Sequence, residues 1–397
     1  MISKNFGYLP VVALVLVLKV GSSWGWFEYC DHTVFVNNSL ILNSPYYPNR
    51  YPSGSSCRYT IEAPLDYEIH IECNINLDKT GSSCSSEFFY VSIDGDKQMR
   101  GSEYFCGVGY IQRNSLFNRL VIAYTSQNGG YGAGSFSCSI SVSPQPCDCG
   151  WSVTQKITGG VETGINEFPF MVAMFNTRAN IVFCSGILIS HRHIISAAHC
   201  FLGTYSAVNE MLAVVGEHDL KTDSETPYTV RHRVSSVRIH ENYDEVQSYN
   251  DISLITTATV IEWSRGVGPI CLPLLYEFAT FEGRKGDIAG WGATMFAGPR
   301  STVLRKATVD IISNSQCRRN LPNIQNAQVC TYSPPKDACQ FDSGGPLFVR
   351  LQRLFGVGII SYGMACGIDS PAVYIRITSY LNWIQRNTPG TTYCRRS

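Results

Sequence analysis

An all-β chain of two domains is predicted by three observations. Short alternating runs of apolar and polar residues recur between Cys30 and Cys138, a second all-β pattern follows a proline-containing junction, and the sixteen cysteines fit exported, disulfide-bonded folds. With 44% hydrophobic and 16% charged residues in 397, the chain is globular rather than a disordered polyampholyte or a membrane bundle. Lys+Arg 31 balances Asp+Glu 31, and without a basic surplus no phosphate backbone is held usefully, so nucleic acid is not an expected partner.

Residues 1–25 read as a secretory signal peptide. Lys4 supplies the positive start, Leu9 to Leu18 is apolar apart from one proline, and Gly21, Ser22, Ser23 and Gly25 are small enough for a signal peptidase. Cleavage is expected after Gly25, with Ser23 the alternative. The apolar run is shorter than the ~18 residues a membrane span needs. No later stretch is apolar enough to cross a bilayer, so no membrane partner is expected and the mature protein is expected to be secreted and soluble. Export agrees with the cysteine count. Zinc would require paired C-x2-C spacings, whereas the only close pair is Cys147 and Cys149. Asn37, in Asn37-Asn38-Ser39, is a glycan acceptor if exposed.

Residues 26–143 form the first predicted domain, an antiparallel sandwich. Ile69, Ile71 and Cys73 face one way and Glu68, His70 and Glu72 the other; Phe89, Val91 and Ile93 repeat the pattern before Asp94-Gly95, as do Leu120, Ile122 and Tyr124. Cys30, Cys57, the run from Cys84 to Gly95, and Phe105-Cys106-Gly107 resemble a CUB domain. The resemblance implies bridges Cys30–Cys57 and Cys84–Cys106 and a sandwich that binds protein or glycan, often through calcium held by three acidic side chains. Asp78 and Glu87 stand near two of those positions, but Gln127 falls where the third carboxylate belongs. An amide carries no full charge for a hard cation, so no strong calcium site is expected. Cys73 and Cys138 are additional, and are expected to clip a strand to the last strand.

Residues 144–156 combine prolines and small polar residues without hydrophobic period, and read as a linker whose cysteines tie it down. Beyond it stand three distant segments: Ile195-Ser196-Ala197-Ala198-His199-Cys200, Asn250-Asp251-Ile252-Ser253-Leu254 and Asp342-Ser343-Gly344-Gly345-Pro346. Singly each residue is ordinary. Jointly they supply a histidine, an aspartate and a serine, a set that amide hydrolysis by acyl transfer can use. A serine hydroxyl stays protonated near neutrality, so Ser343 needs a base to take its proton, and His199 suits that duty.

These segments resemble the chymotrypsin/trypsin family of serine proteases, over residues 157–397. The resemblance implies a double six-stranded β-barrel with a short C-terminal helix around Tyr380 to Ile384. It assigns Asp251 to orient His199, Ser361 to support Asp251, and the N–H groups of Phe341 and Ser343 to the oxyanion hole. The family has glycine where Phe341 stands. Phe341 still owns an N–H, but its side chain crowds the leaving side, so altered selectivity there and weaker capture by bulky inhibitors are expected. Asp337, six residues before Ser343, matches the pocket anion that pairs with arginine or lysine. Gly363 keeps one pocket wall open, and Ala372, where glycine is usual, narrows the other; the Arg/Lys ratio stays open.

Lys156-Ile157-Thr158-Gly159-Gly160 resembles the family's activation junction. Cutting after Lys156 by another trypsin-like protease would free the Ile157 amine to pair with Asp342 and order the site. The implied bridges are Cys184–Cys200, Cys317–Cys330 and Cys339–Cys366, with Cys271 holding one linker cysteine. Cys394 and the other linker cysteine are left over, for each other or for another molecule. The loop Glu217-His218-Asp219 resembles a calcium loop of trypsins, but Pro227 stands about where the second anchoring glutamate belongs, so no metal or other cofactor is expected. The whole resembles CUB-bearing serine proteases of arthropod venom, saliva and haemolymph. That implies a secreted zymogen whose partners are proteins cut after Arg or Lys. The non-enzymatic alternatives are a silent homologue whose oxyanion hole Phe341 has collapsed, and an adhesion module dominated by the first domain.

Overall fold

A computed structural model describes residues 30–78, 84, 86–127, 133–153, 161–222, 224–292, 299–333, 343–362 and 370–396. The chain divides into two compact units between Pro146 and Cys147.

In the first unit, one sheet has the order Asp31–Phe35, Ser56–Glu62, Arg119–Ser126, Glu87–Ser92, Glu103–Phe105, and the other Ser39–Asn43, Ser135–Pro144, Tyr67–Asn76, Val108–Asn114. The alternation in the sequence builds the core between them: Ile69, Ile71, Cys73, Phe89, Leu120 and Ile122 are fully buried, while Glu72 and Asn74 on the intervening positions are exposed. Each large apolar side chain so buried contributes about 1.5–3 kcal/mol. One pairing departs from the antiparallel expectation. Asp31–Phe35 runs parallel to Ser56–Glu62, because the chain between them lays Ser39–Asn43 into the opposite sheet and re-enters the first in its original direction. Disulfides Cys30–Cys57, Cys73–Cys138 and Cys84–Cys106 staple the unit, the second joining residues directly opposite in register.

The domain boundary differs from the sequence reading. The last strand of the sandwich runs to Pro144 and Gln145 still bonds back to Asp66, so the first unit ends at Pro146 rather than 143. The part of the presumed linker from Cys147 to Val153 belongs to the second unit. Cys147 is bonded to Cys394 and Cys149 to Cys271, while Gly150 donates to Pro269 O and accepts from Leu354 N.

The second unit holds two closed six-stranded barrels. The first runs Met171–Asn176, Ile181–Leu188, His193–Ser196, Ser253–Thr257, Val230–Ile239, Met211–Val215 and back. The second runs Arg305–Ile312, Lys285–Gly290, Pro346–Arg350, Leu354–Tyr362, Ala372–Arg376, Gln328–Thr331, the last closing on Arg305–Ile312. Phe168 and Phe170 from the entry to the first barrel meet Phe348 of the second edge-on, at centroid distances of 4.9 and 5.2 Å. The site lies along this seam. The C-terminal helix, Leu381–Asn387, buries Leu381, Trp383 and Ile384. No helix among the described residues is long and apolar enough to cross a membrane.

Candidate active site

Strand register brings the first two groups together. Ser196 pairs with Ser253 in the first barrel, so the residue three past the one and the residue two before the other, His199 and Asp251, arrive at the same end. Ser253 Oγ fastens that end by donating to the carbonyls of Ser196 and Ala197. The carboxylate of Asp251, 1% exposed, accepts the backbone N–H of His199 at 2.9 Å, His199 Nδ1 at 2.8 Å and Ser361 Oγ at 2.5 Å. Burial pushes the Asp251 carboxyl up, but the bonds from His199 and Ser361 outweigh it and hold the group below the usual carboxylate range. A carboxylate only accepts, so Nδ1 carries the shared proton and Nε2 keeps a lone pair. The His199 side chain remains 34% exposed, open to a substrate.

Ser343 enters from the second barrel. Its carbonyl accepts the N–H of Ser185, on the strand whose Cys184 is bonded to Cys200 beside His199. Gly344, at φ +80°, sits so close to the first barrel that a Cβ would fall 2.0 Å from Ser196 Oγ and 2.3 Å from Ser185 O; only glycine fits this approach. On the other side Gly344 N donates to Ile360 O and Ile360 N to Gly345 O, which sets Ser361 beside the same turn. The Ser343 turn is thus clamped between the segments that carry His199 and Ser361.

Two neighbours were not singled out from sequence. Tyr362 follows Ser361 and its hydroxyl meets Gln328 Nε2 at 3.5 Å, while Tyr249, two residues before Asp251, donates to Asn323 O and accepts from Gln325 Nε2. The C-terminal segment also reaches the site, Tyr380 OH donating to Asn250 Oδ1 at 2.8 Å. Ala372 is buried opposite Thr331 on the strand that pairs with Leu354–Tyr362. Cys317–Cys330 is formed. Asp337, Phe341, Asp342, Gly363, Lys156, Ile157, and the pair Cys339 and Cys366 lie outside the described residues.

The carboxylate missing from the calcium-type loop is found two residues before Pro227. Glu225 Oε1 accepts from Asp219 N at 3.1 Å and its carboxyl group lies within hydrogen-bonding reach of the buried Glu217. Glu225 Oε2 is buried without a hydrogen-bond partner among the described residues. Two adjoining carboxyl groups, one with an unanswered oxygen, are donors that a hard cation could use in this loop.

Comparison with known proteins places this geometry. The trypsin family model matches residues 157–384, and the CUB domain model residues 30–139. The chain is 33% identical to venom serine protease 34 of Apis mellifera over 98% of this chain and 97% of that protein. It is 40% identical to a venom serine protease of Polistes dominula, over 63% of this chain and 91% of that one. The proclotting enzyme of Tachypleus tridentatus is 34% identical over 61% of this chain and 68% of its own length.

Proposed function

This chain belongs to the trypsin family of serine proteases and carries an N-terminal CUB domain, and from that premise we propose a secreted endopeptidase that cuts proteins after arginine or lysine. It is made as a precursor that another trypsin-like protease cleaves after Lys156. The observation that carries the reading is the Asp251–His199 pair, backed by Ser361 and set against the clamped turn of Ser343.

In this reading Ser343 Oγ attacks the scissile carbonyl carbon as His199 Nε2 takes its proton. Asp251 holds the ring in place and stabilises the imidazolium. The N–H groups of Phe341 and Ser343 receive the oxyanion. As the C–N bond breaks, Nε2 returns the proton to the leaving amine and Ser343 remains as an ester. Water, deprotonated by the same nitrogen, then hydrolyses that ester and restores the hydroxyl. Asp337 selects a cationic side chain, and the Ile157 amine released by cleavage pairs with Asp342. Asp251, held below the usual carboxylate range by its bonds from His199 and Ser361, keeps its charge well into acid and goes on supporting the imidazolium that forms in the reaction.

The purified secreted chain, cut after Lys156, is expected to hydrolyse arginine and lysine p-nitroanilides and to ignore those of leucine and glutamate, with Ser343→Ala inactive. Preference for the neutral substrates would reject the pocket assignment. Full turnover of uncut chain would reject the precursor. Phe341→Gly is expected to relax leaving-side selectivity; unchanged kinetics would remove the steric argument. We further propose that Glu217 and Glu225 hold a calcium ion, which would order their loop and take no part in the chemistry. Calcium is then expected to raise the melting temperature of the chain, and Glu225→Gln to remove that rise.

A further inference from the structure

The first unit carries a second acidic cluster, at the position where the CUB resemblance implies calcium, and here the donor set does not fit the ion. Glu87, 3% exposed, has both carboxylate oxygens engaged: Oε2 accepts Asp78 N at 2.6 Å and Oε1 accepts Gly134 N at 2.8 Å. Gly134 is needed for that approach, since a Cβ there would lie 2.6 Å from Asn76 O. Burial pushes the Glu87 carboxyl up, against the pull of the two N–H groups that already occupy its oxygens. Burial, then the charge of Glu87, push the Tyr51 phenol up as well, and it offers no anion. Asp78 is the remaining carboxylate, and its Oδ1 lies 2.6 Å from Arg50 NH1. The third acidic position is the amide Gln127, and the sequence at 79–83 and 128–132 contains no Asp or Glu. Calcium requires about six to eight oxygen ligands with several charges among them.

We infer that the guanidinium of Arg50 takes the place of the metal, making the first unit a CUB domain that holds its Asp78–Glu87 corner by an internal cation and is indifferent to calcium. Arg50 and Asp78 are each a little over 40% exposed, so the pair is screened. What it supplies is a fixed positive charge beside Asp78 that repels a second cation.

The test is calcium titration calorimetry on the full disulfide-intact chain in a Glu225→Gln background, which silences the loop of the second unit. Hydrogen exchange of the peptides carrying the Asp78 and Gly134 amides is followed with calcium and with EDTA. The Glu225→Gln chain is expected to show no saturable calcium binding tighter than about 1 mM, and the same exchange protection in both conditions. Adding Arg50→Ala and Gln127→Asp together is expected to tighten calcium binding at least about tenfold and make the protection calcium-dependent. Sub-millimolar binding to the Glu225→Gln chain that Asp78→Asn abolishes would overturn the inference. So would an Arg50→Ala, Gln127→Asp chain that retains its protection yet binds calcium no better than its parent. None of these readouts depends on protease activity.

Discussion

Asp251 and Glu87 are buried to nearly the same degree, 1% and 3% exposed, one in each unit, yet they are driven in opposite directions. For both, loss of solvent is the largest single push, and it favours the neutral acid. Glu87 meets that push with two neutral backbone N–H groups and stays raised. Asp251 meets it with a backbone N–H, a hydroxyl and an imidazole that can itself become cationic, and ends below the ordinary value. Depth of burial does not decide whether a carboxyl is charged; the identity of its donors does. The protease unit uses that freedom to keep an anion where a positive charge must form, whereas in the CUB unit the same burial leaves Glu87 raised above the ordinary carboxylate value.

The most severe way to break this contrast is to neutralise each acid in turn. Asp251→Asn is expected to lower kcat by about 10⁴-fold, because the amide favours the wrong imidazole tautomer and leaves the imidazolium unsupported. Glu87→Gln, measured on the same chromogenic substrate, is expected to leave kcat within about twofold, since the N–H that loses its acceptor, Asp78 or Gly134, belongs to the first unit and not to the site of Asp251, His199 and Ser343. A smaller effect comes from Ser361→Ala, which removes one of the three donors. About 1 kcal/mol of lost support corresponds to a fall in kcat of roughly fivefold to tenfold.

The contrast sharpens furthest in the dependence of stability on pH. Asp251 is depressed, so its contribution is present above about 3.9, the unfolded value, and is lost as pH falls through its lower folded value. Glu87 is raised, so its contribution is complete below about 4.3 and is lost as pH rises through its higher folded value. Denaturant melts across pH 2–7 should therefore show the deficit of Asp251→Asn shrinking toward acid, and Glu87→Gln flattening the decline above pH 4.3. Parallel curves for the two variants would contradict the assignment of opposite signs.

Much of the site was legible because its signals are contiguous. The segments around His199, Asp251 and Ser343 each carry several flanking residues that specify a strand end or a tight turn, and the alternation at Ile69, Ile71 and Cys73 fixes an inward face without any knowledge of partners. What escaped depends on geometry across long separations. Glu225 was passed over because loop length shifts a carboxylate by two positions without disturbing the strands on either side. Arg50 gave no signal, since its partner Asp78 lies 28 residues away and arginine is ordinary on a surface. The bonds of Cys149 to Cys271 and of Cys147 to Cys394, at sequence separations of 122 and 247, were open to the family resemblance and to elimination but to no local pattern; what escaped is that they draw Cys147–Val153 into the second unit.

Those two bonds carry a consequence for where the enzyme works. With Cys147 and Cys149 both anchored in the protease body, a cut after Lys156 severs the chain but not the molecule, and reduction of either bridge alone still leaves the halves joined. The blade therefore travels with its handle. Proteolysis would then be dosed wherever the amino-terminal half is retained, and not by dilution in the surrounding fluid.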